Sequence, residues 1–313
     1  MRNIKLLAIV VATLFVLSCS DSGGGGSDGG TLTPATVDES TAAKSVSMVL
    51  AATPLMDLSE DYSILSISGV NDPNKNIAAW VLDRVRDEIL STGRLHPAGS
   101  ETYTDNCDSG SMTMKITWDG SDTIADCSQV SDVEATMQFD QCQSIDAYTD
   151  TYTNGTIHLS IPGNLCDPSE ISMDFTNVTI QSEEVNINAN NFSLDFFISG
   201  DTTTVTFDGD LSVSSDGVSE AMNFIDFVFT DTETYTGNST RINGFISSSC
   251  FSGWVTFTTI EPVVTSYSDD CPTSGQVKVS GTGEITVTFN TDGSVTVGTL
   301  EYPSCLDLPQ TCQ

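Results

Sequence analysis

The stretch Val185-Asn186-Ile187-Asn188-Ala189-Asn190 alternates apolar and polar residues without a break. Successive side chains of a β-strand point to opposite faces of a sheet, so this stretch places its apolar residues on one face and its asparagines on the other. A strand that is dry on one face and wet on the other is typical of antiparallel sheet, because parallel sheets are covered on both faces. The stretch therefore predicts a half-buried antiparallel strand.

The same period of two continues through most of the chain after residue 100. Its commonest unit is a glycine with apolar residues two and four positions later, and we expect each glycine to belong to a turn that feeds a strand. These units begin at Gly110, Gly155, Gly209, Gly253, Gly275, Gly283 and Gly293. Asp-Gly and Asn-Gly pairs predict tight hairpin turns, because these residues adopt left-handed conformations at little cost. The pairs lie at 119–120, 154–155, 208–209, 216–217, 243–244 and 292–293.

These patterns predict an all-β, antiparallel fold with about a dozen strands in residues 96–313. The dry faces can be buried in two ways. Two sheets can pack face to face as a sandwich, or a single strongly curved sheet can close over other elements. We expect the sandwich, in one domain, and a split near residue 200 remains open.

A small helical segment is predicted for residues 34–95. Its first helix has Thr33 as a capping residue and Pro34 at its first position. Its second helix begins at Asp72 and Pro73 and ends at Gly93. The apolar residues of the second helix recur at spacings of three and four, which is typical of a face that packs on a core. They are Ile77, Trp80, Val81, Val85 and Ile89.

The N-terminus has the pattern of an export signal over residues 1–18. Arg2 and Lys5 precede an apolar run from Leu6 to Leu17, which is too short to span a bilayer as a mature helix. The sequence Val16-Leu17-Ser18-Cys19 resembles the lipobox of bacterial lipoproteins. That resemblance implies that the signal peptide is removed and that Cys19 then carries the lipid.

Residues 19–33 form a predicted tether between the lipid and the folded chain. The run 23–30 is almost entirely glycine, and such a coil of about 14 residues has a root-mean-square reach of about 20 Å. In bacteria that sort lipoproteins by the residue after the lipidated cysteine, aspartate there marks inner-membrane retention. Ser20 occupies that position, so we expect the outer membrane, on either its periplasmic or its surface face.

Nine cysteines are an odd number for an exported protein. If Cys19 carries the lipid, an even set of eight remains, which agrees with a disulfide framework. The eight are Cys107, Cys127, Cys142, Cys166, Cys250, Cys271, Cys305 and Cys312. Sequence spacing cannot fix the pairing, and we expect bonds between sequence neighbours. Those bonds are Cys107 to Cys127, Cys142 to Cys166, Cys250 to Cys271, and Cys305 to Cys312.

The chain carries 43 acidic and 10 basic residues, for a formal net charge of -33. This balance excludes a nucleic-acid binder that works by neutralising phosphates. It also disfavours contact with anionic lipid headgroups and favours cations.

Residues for catalysis or metal binding are scarce in the sequence. There are two histidines, and we expect His96 in a loop and His158 on the wet face of a strand, in contact with solvent. Acidic pairs and triplets in turns lack the spacing of known calcium loops, so we expect weak or no calcium binding. They are Asp105 with Asp108, Asp119 with Asp122 and Asp126, Asp208 with Asp210, and Asp269 with Asp270. We expect no cofactor, no metal and no catalytic residue.

The sequence thus predicts a lipid-anchored β-rich lipoprotein that acts as a non-enzymatic binding or structural module. Its predicted partner is a membrane, through Cys19. The first alternative is a carrier of an apolar ligand, with the N-terminal helices as a lid over a curved sheet. The second alternative is a hydrolase that uses a pair of carboxylates, since many such pairs are available.

Overall fold

The structure is a computed structural model. It describes residues 33–52, 77–91, 98–105, 107–120, 127–146, 149–181, 185–215, 218–269 and 271–309. The predicted signal peptide, Cys19, the tether up to residue 32, the helix start at Asp72, the helix end at Gly93, His96 and Cys312 lie outside the described residues.

The chain forms two compact units. The terminal unit comprises Met1–Ala52 and Gly200–Gln313, and the central unit comprises Thr53–Ser199. The division therefore falls at the split near residue 200 that the sequence left open. The predicted helical segment is not a unit of its own, because each unit contains one of the two helices.

The elements follow one another as two helices and fourteen strands in the described residues. The helices are α1 (Glu39–Ala52) and α2 (Ile77–Ser91). The strands of the central unit are β1 (Ala98–Asp105), β2 (Ser109–Gly120), β3 (Val130–Asp146), β4 (Thr149–Asn164), β5 (Glu170–Gln181) and β6 (Val185–Ser199). The strands of the terminal unit are β7 (Thr202–Ser215), β8 (Val218–Thr234), β9 (Gly237–Ser248), β10 (Phe251–Ser266), β11 (Ser274–Ser280), β12 (Glu284–Phe289), β13 (Val295–Val297) and β14 (Leu300–Tyr302).

The central unit is an antiparallel meander, in which each strand from β1 to β6 pairs with the next along the chain. Its dry face carries apolar residues in register, with Met114 opposite Met137 and Met137 opposite Ile157. All three side chains are buried. The predicted apolar side of α2 is buried as well, at Val81 and Val85.

The terminal unit repeats this arrangement from β7 to β14. At its core, five phenylalanine rings pack in tilted and edge-on contacts, with centroids 5.2–5.8 Å apart. Such ring pairs each contribute about 0.5–1.5 kcal/mol beyond the area they bury. The five residues are Phe207, Phe224, Phe227, Phe229 and Phe257.

Within each unit the described strands form one sheet rather than two. The all-β antiparallel prediction is confirmed, whereas the expected two-sheet sandwich is wrong. The strand pairing runs without a break from β1 to β6 and from β7 to β14, so neither unit divides into two separate sheets. Of the two arrangements that the sequence allowed, the single sheet is the one that these units adopt.

Residues 33–38 form no helix, and the predicted helix start at Pro34 is wrong. We call this segment the strap. Pro34 forms a parallel bridge with Trp254, in which the amide of Ala35 donates to the Trp254 carbonyl and the Trp254 amide donates to the Thr33 carbonyl. Proline suits this position because the bridge uses the polar groups of its neighbours and needs no N–H from proline itself.

Helix α1 begins five residues later than predicted. The carboxylate of Asp38 accepts a hydrogen bond from the amide of Thr41 at 2.8 Å, which is the contact of an N-cap. That backbone hydrogen bond holds the pKa of Asp38 below its ordinary value. The apolar side of α1 is buried at Ala43, Val46 and Val49, and the helix contacts β12 and β13.

Three of the predicted hairpin turns are instead bulges inside long strands. Asn154-Gly155 lies within β4, Asp208-Gly209 within β7 and Asn243-Gly244 within β9, and the pairing register shifts at each. Asp-Gly and Asn-Gly supply left-handed backbone equally well to a bulge and to a turn, so the dipeptide alone does not distinguish them. Asp292-Gly293 does form a turn, and the pair at 216–217 lies outside the described residues.

A second set of bulge residues keeps the buried face continuous. In β8, Asp226 has a left-handed φ of 45° and adds one residue to the strand, so that Phe224 before it and Phe227 after it are both buried. In β5, Asn177 does the same between Phe175 and Val178. Among the residues that the structure describes, those other than glycine with such a φ are Asp132, Gln141, Asn177, Asn191 and Asp226.

The disulfides join Cys107 to Cys142, Cys127 to Cys166, and Cys271 to Cys305. Cys250 is also disulfide-bonded, to a residue outside the described part of the chain. The expected bonds between sequence neighbours are therefore wrong in all four cases. The expectation that these cysteines serve as structural disulfides is met for the seven that the structure describes.

The strand geometry explains the error in pairing. Cys107 and Cys127 flank the 12 residues of β2, and a strand of that length separates its ends by about 40 Å. A disulfide needs Cα atoms within about 7 Å. The pairing of Ser109 with Gln143 instead brings Cys107 beside Cys142, with Cα atoms 5.3 Å apart. In the central unit, neighbouring cysteines lie at opposite ends of a strand, and alternate cysteines meet at the same end.

We predict that Gly155→Ala lowers the free energy of unfolding by about 2–3 kcal/mol. Gly155 has a φ of +106°, and a Cβ there would lie 2.3 Å from the Asn177 carbonyl oxygen on β5. Urea unfolding of the purified protein measures the change. Gly163→Ala is the matched control, because Gly163 has a φ of +81° with no atom within 4 Å of a built Cβ. Equal losses for the two variants would show that the close approach contributes nothing.

Candidate functional site

A small cleft lies beside the strap on the terminal unit, with a volume of about 160 Å³. We call it the strap cleft. Its walls come from the strap and from β9 and β10, and from β11 with the glycine that follows it. The lining residues are Pro34, Phe245, Trp254, Thr256, Ser280 and Gly281.

Strand register places two aromatic rings of the strap cleft on the outer face of the sheet. Val255 pairs with Ile246, and both are buried. Trp254 precedes Val255 and Phe245 precedes Ile246, so their side chains point to the opposite face. Both are partly exposed there. The cleft thus combines aromatic rings with the hydroxyl groups of two adjacent strands.

The strap is held at this place by backbone contacts that leave little space. The Ala35 carbonyl accepts a hydrogen bond from the Thr282 amide at 2.8 Å. A Cβ on Gly253 would lie 2.5 Å from the Thr33 carbonyl oxygen, so glycine is required where the strap crosses β10. Ala35 itself is buried. The strap therefore forms a fixed wall of the cleft.

A carboxylate at the first residue of α1, directly after the strap, bonds to the turn between β13 and β14. One oxygen of Glu39 accepts hydrogen bonds from the hydroxyl and from the amide of Thr299, each 2.6 Å long. These bonds favour the ionised carboxylate, with the hydroxyl contributing most, and they lower the pKa of Glu39.

A second cleft, of about 460 Å³, lies on the central unit. It is lined by Gly99, Thr117, Trp118, Asp119 and Asp132. The indole N–H of Trp118 is buried and has no hydrogen-bond partner within the part of the chain that the structure describes. The carboxylate of Asp132 is already engaged, since it accepts a hydrogen bond from the Gly163 amide at 2.9 Å.

His158 lies on the wet face of β4, as predicted, but it is not simply solvated. Its Nε2 is 3.0 Å from a carboxylate oxygen of Glu134, and its Nδ1 is 3.2 Å from the hydroxyl of Thr136. Ser160 donates a hydrogen bond to the other oxygen of Glu134. Glu134 lies between the hydroxyl of Ser160 and the imidazole, so His158 is not positioned to take the proton of Ser160.

The acidic pairs of the sequence are brought into no metal-binding group among the described residues. The carboxylate of Asp208 contacts the amide of Asp226 in the adjacent strand, and Asp210 accepts a hydrogen bond from Asn223. Asp122, Asp126 and Asp270 lie outside the described part of the chain. Asp208 and Asp210 thus link adjacent strands.

The residues of the strap cleft were not identified from the sequence, although a local pattern marks them. Phe245-Ile246 and Trp254-Val255 are consecutive apolar pairs within alternating strands, and such a pair must put one apolar side chain on the wet face. An aromatic residue on that face is the feature to look for. Pro34 could not be added from sequence, because its partner strand is more than 200 residues away.

Comparisons with known proteins found no matching family model, no matching curated protein and no matching solved structure. Neither helix in the described residues is long and apolar enough to cross a membrane.

We predict that Glu39→Gln lowers the melting temperature at pH 7 and that the difference from wild type closes on acidification. The lowered pKa means that the ionised carboxylate stabilises the fold above the ordinary glutamate value of 4.5, and this contribution is lost as the pH falls through the lower folded value. Thermal unfolding between pH 7 and pH 3 measures the difference. Glu301→Gln is the control for net charge, since Glu301 is an exposed carboxylate of the same unit. A gap for Glu39→Gln that stays constant with pH would contradict the ionic contact.

Proposed function

We propose that this chain is a lipid-anchored lipoprotein of the outer membrane or cell surface, and that it acts as a non-enzymatic binding or structural module. The observation that carries the proposal is the stretch Val16-Leu17-Ser18-Cys19 after an apolar export segment. Ser20 at the position after Cys19 supports the outer membrane over the inner one.

The cysteine count supports lipid attachment at Cys19. Six cysteines form the three described disulfides, and Cys250 is bonded too. Cys19 and Cys312 are the cysteines that remain. Pairing Cys250 with Cys312 leaves Cys19 as the one cysteine without a disulfide, which is the state that acylation requires. Disulfides also agree with an oxidising compartment outside the cytoplasm.

The strap supports a role as a tethered module. The tether that the sequence predicts ends at residue 33, where the strap begins, and the strap is hydrogen-bonded to β10 from its first residue. A module held this way is fixed at one place on its terminal unit, while the tether allows about 20 Å of reach from the membrane.

A non-enzymatic role is supported by the contacts of the residues that could carry chemistry. His158, Glu134 and Ser160 bond to one another across the wet face of adjacent strands. A module is also preferred to a carrier, because the apolar side of α1 is already buried and contacts β12 and β13. A lid would need apolar surface left for a ligand.

We predict that growth of a bacterial expression host with a labelled fatty acid marks the wild-type protein and not Cys19→Ala. The acyl groups are attached through Cys19, so the variant lacks the acceptor. Fluorography after gel electrophoresis measures incorporation, and Cys312→Ala is the matched control that retains the lipobox. Label in Cys19→Ala would refute the lipoprotein assignment.

We also predict four disulfides and no free thiol in the mature protein. Thiol titration in denaturant without reductant, followed by peptide mapping, measures this. The map should join Cys250 to Cys312, and reduction should lower the melting temperature, because each native bridge contributes about 2–5 kcal/mol. Two or more free thiols, or a bond from Cys250 to Cys19, would contradict the prediction.

A further inference from the structure

The strap cleft has a chemical character that differs from the acidic surface around it. None of its six lining residues is charged. Two partly exposed aromatic rings and a proline supply most of the wall, and two hydroxyl groups supply the rest. Its volume of about 160 Å³ is below the range of pockets that hold drug-sized ligands, so it suits one small head group.

The charge around the cleft is negative. Residues 200–313 contain fifteen acidic side chains and two basic ones, Arg241 and Lys278. Thr256 pairs with Ser280, and Ser280 pairs with Glu284 on the next strand, so the Glu284 carboxylate lies one strand beyond the cleft on the same face. Lys278 also shares this face, with its amine 3.5 Å from the Glu284 carboxylate. An anion entering here would meet a repulsive field.

We infer that the strap cleft binds an alkylated ammonium group, of the kind carried by small soluble quaternary amines. The faces of tryptophan and phenylalanine rings attract such cations through their negative quadrupole, and tryptophan is the best of the aromatic residues for this contact. The methyl groups of the cation suit an apolar wall, and its charge suits the surrounding carboxylates. A bare metal ion is disfavoured, because no carboxylate lines the cleft to replace its water.

Two charged residues near the cleft, Glu284 and Lys278, should influence its affinity for a cation in opposite directions. Glu284→Gln removes the carboxylate that pairs across the strands with Ser280 and leaves the charge of Lys278 unneutralised. The substitution should therefore weaken cation binding. Lys278→Met removes the opposing positive charge and should strengthen it. Neither substitution changes a lining residue, and a neutral ligand of the same shape should respond to neither.

The experiment titrates the full purified protein with tetramethylammonium chloride and with tert-butanol, an uncharged compound of similar shape, at matched ionic strength. Indole N–H shifts in the NMR spectrum report binding, with the Trp254 signal assigned through Trp254→Phe. We expect a preference of about fivefold to thirtyfold for the cation. Trp254→Leu should abolish it, whereas Tyr235→Leu, which removes a fully exposed ring of the same unit, should leave it unchanged.

The charge variants are measured in the same titration. Weaker binding for Glu284→Gln and stronger binding for Lys278→Met would support the inference. Equal affinity for the cation and tert-butanol would show a merely apolar cleft and overturn it. A Trp254 signal that does not move with the cation, or charge variants that shift affinity in the opposite directions, would overturn it as well. These variants retain the native lining, so the test does not depend on whether Trp254→Leu folds.

Discussion

Both units depend on keeping one face of a long strand apolar from end to end. Side chains alternate strictly between faces, so any local bend that adds a residue turns every later apolar side chain outward unless the sequence changes phase at the same point. Asp226 and Asn177 mark points where that change occurs, each in a left-handed conformation. Asparagine and aspartate tolerate this conformation better than other non-glycine residues. Backbone and sequence therefore change phase together.

The disulfides follow from the same meander. Because each strand runs back along the previous one, the beginning of one strand and the end of the next lie side by side. Cys127 just before β3 and Cys166 just beyond β4 meet in this way, and so do Cys107 and Cys142 at the opposite ends of the strands. One disulfide therefore crosslinks each of the two opposite ends of this set of strands. The bonds join strand pairs that hydrogen bonding has already aligned.

Much of the fold could be predicted from residue alternation, and the errors have local physical causes. The antiparallel class, the region rich in strands and the apolar side of α2 follow from periodicity. A dipeptide such as Asn154-Gly155 suits a bulge as well as a turn, so it does not distinguish the two. The spacing of three residues from Phe224 to Phe227 does indicate a change of phase within one strand. The strap was mistaken for a helix because its stability comes from a distant strand. No local pattern contains that partner.

The sequence indicates the aromatic residues of the candidate site but not how they come together. Phe245-Ile246 and Trp254-Val255 reveal aromatic side chains on a wet face, but not that the two lie on adjacent strands. The two aromatic residues lie close together because β9 pairs with β10, in a register that bulges shift. The closing wall at Pro34 depends on a contact across most of the chain. Composition correctly indicated the acidic surroundings and gave no sign of an uncharged cleft within them.

The overlap of two disulfide loops in the central unit has a consequence for the protein's response to proteolysis. The loop from Cys107 to Cys142 and the loop from Cys127 to Cys166 share the residues between Cys127 and Cys142. A single cut by a protease anywhere between Cys107 and Cys166 therefore leaves both fragments covalently joined. With its strands still paired, a nicked molecule stays in one piece. The crosslinks give this stretch tolerance to backbone damage, a property distinct from resistance to unfolding.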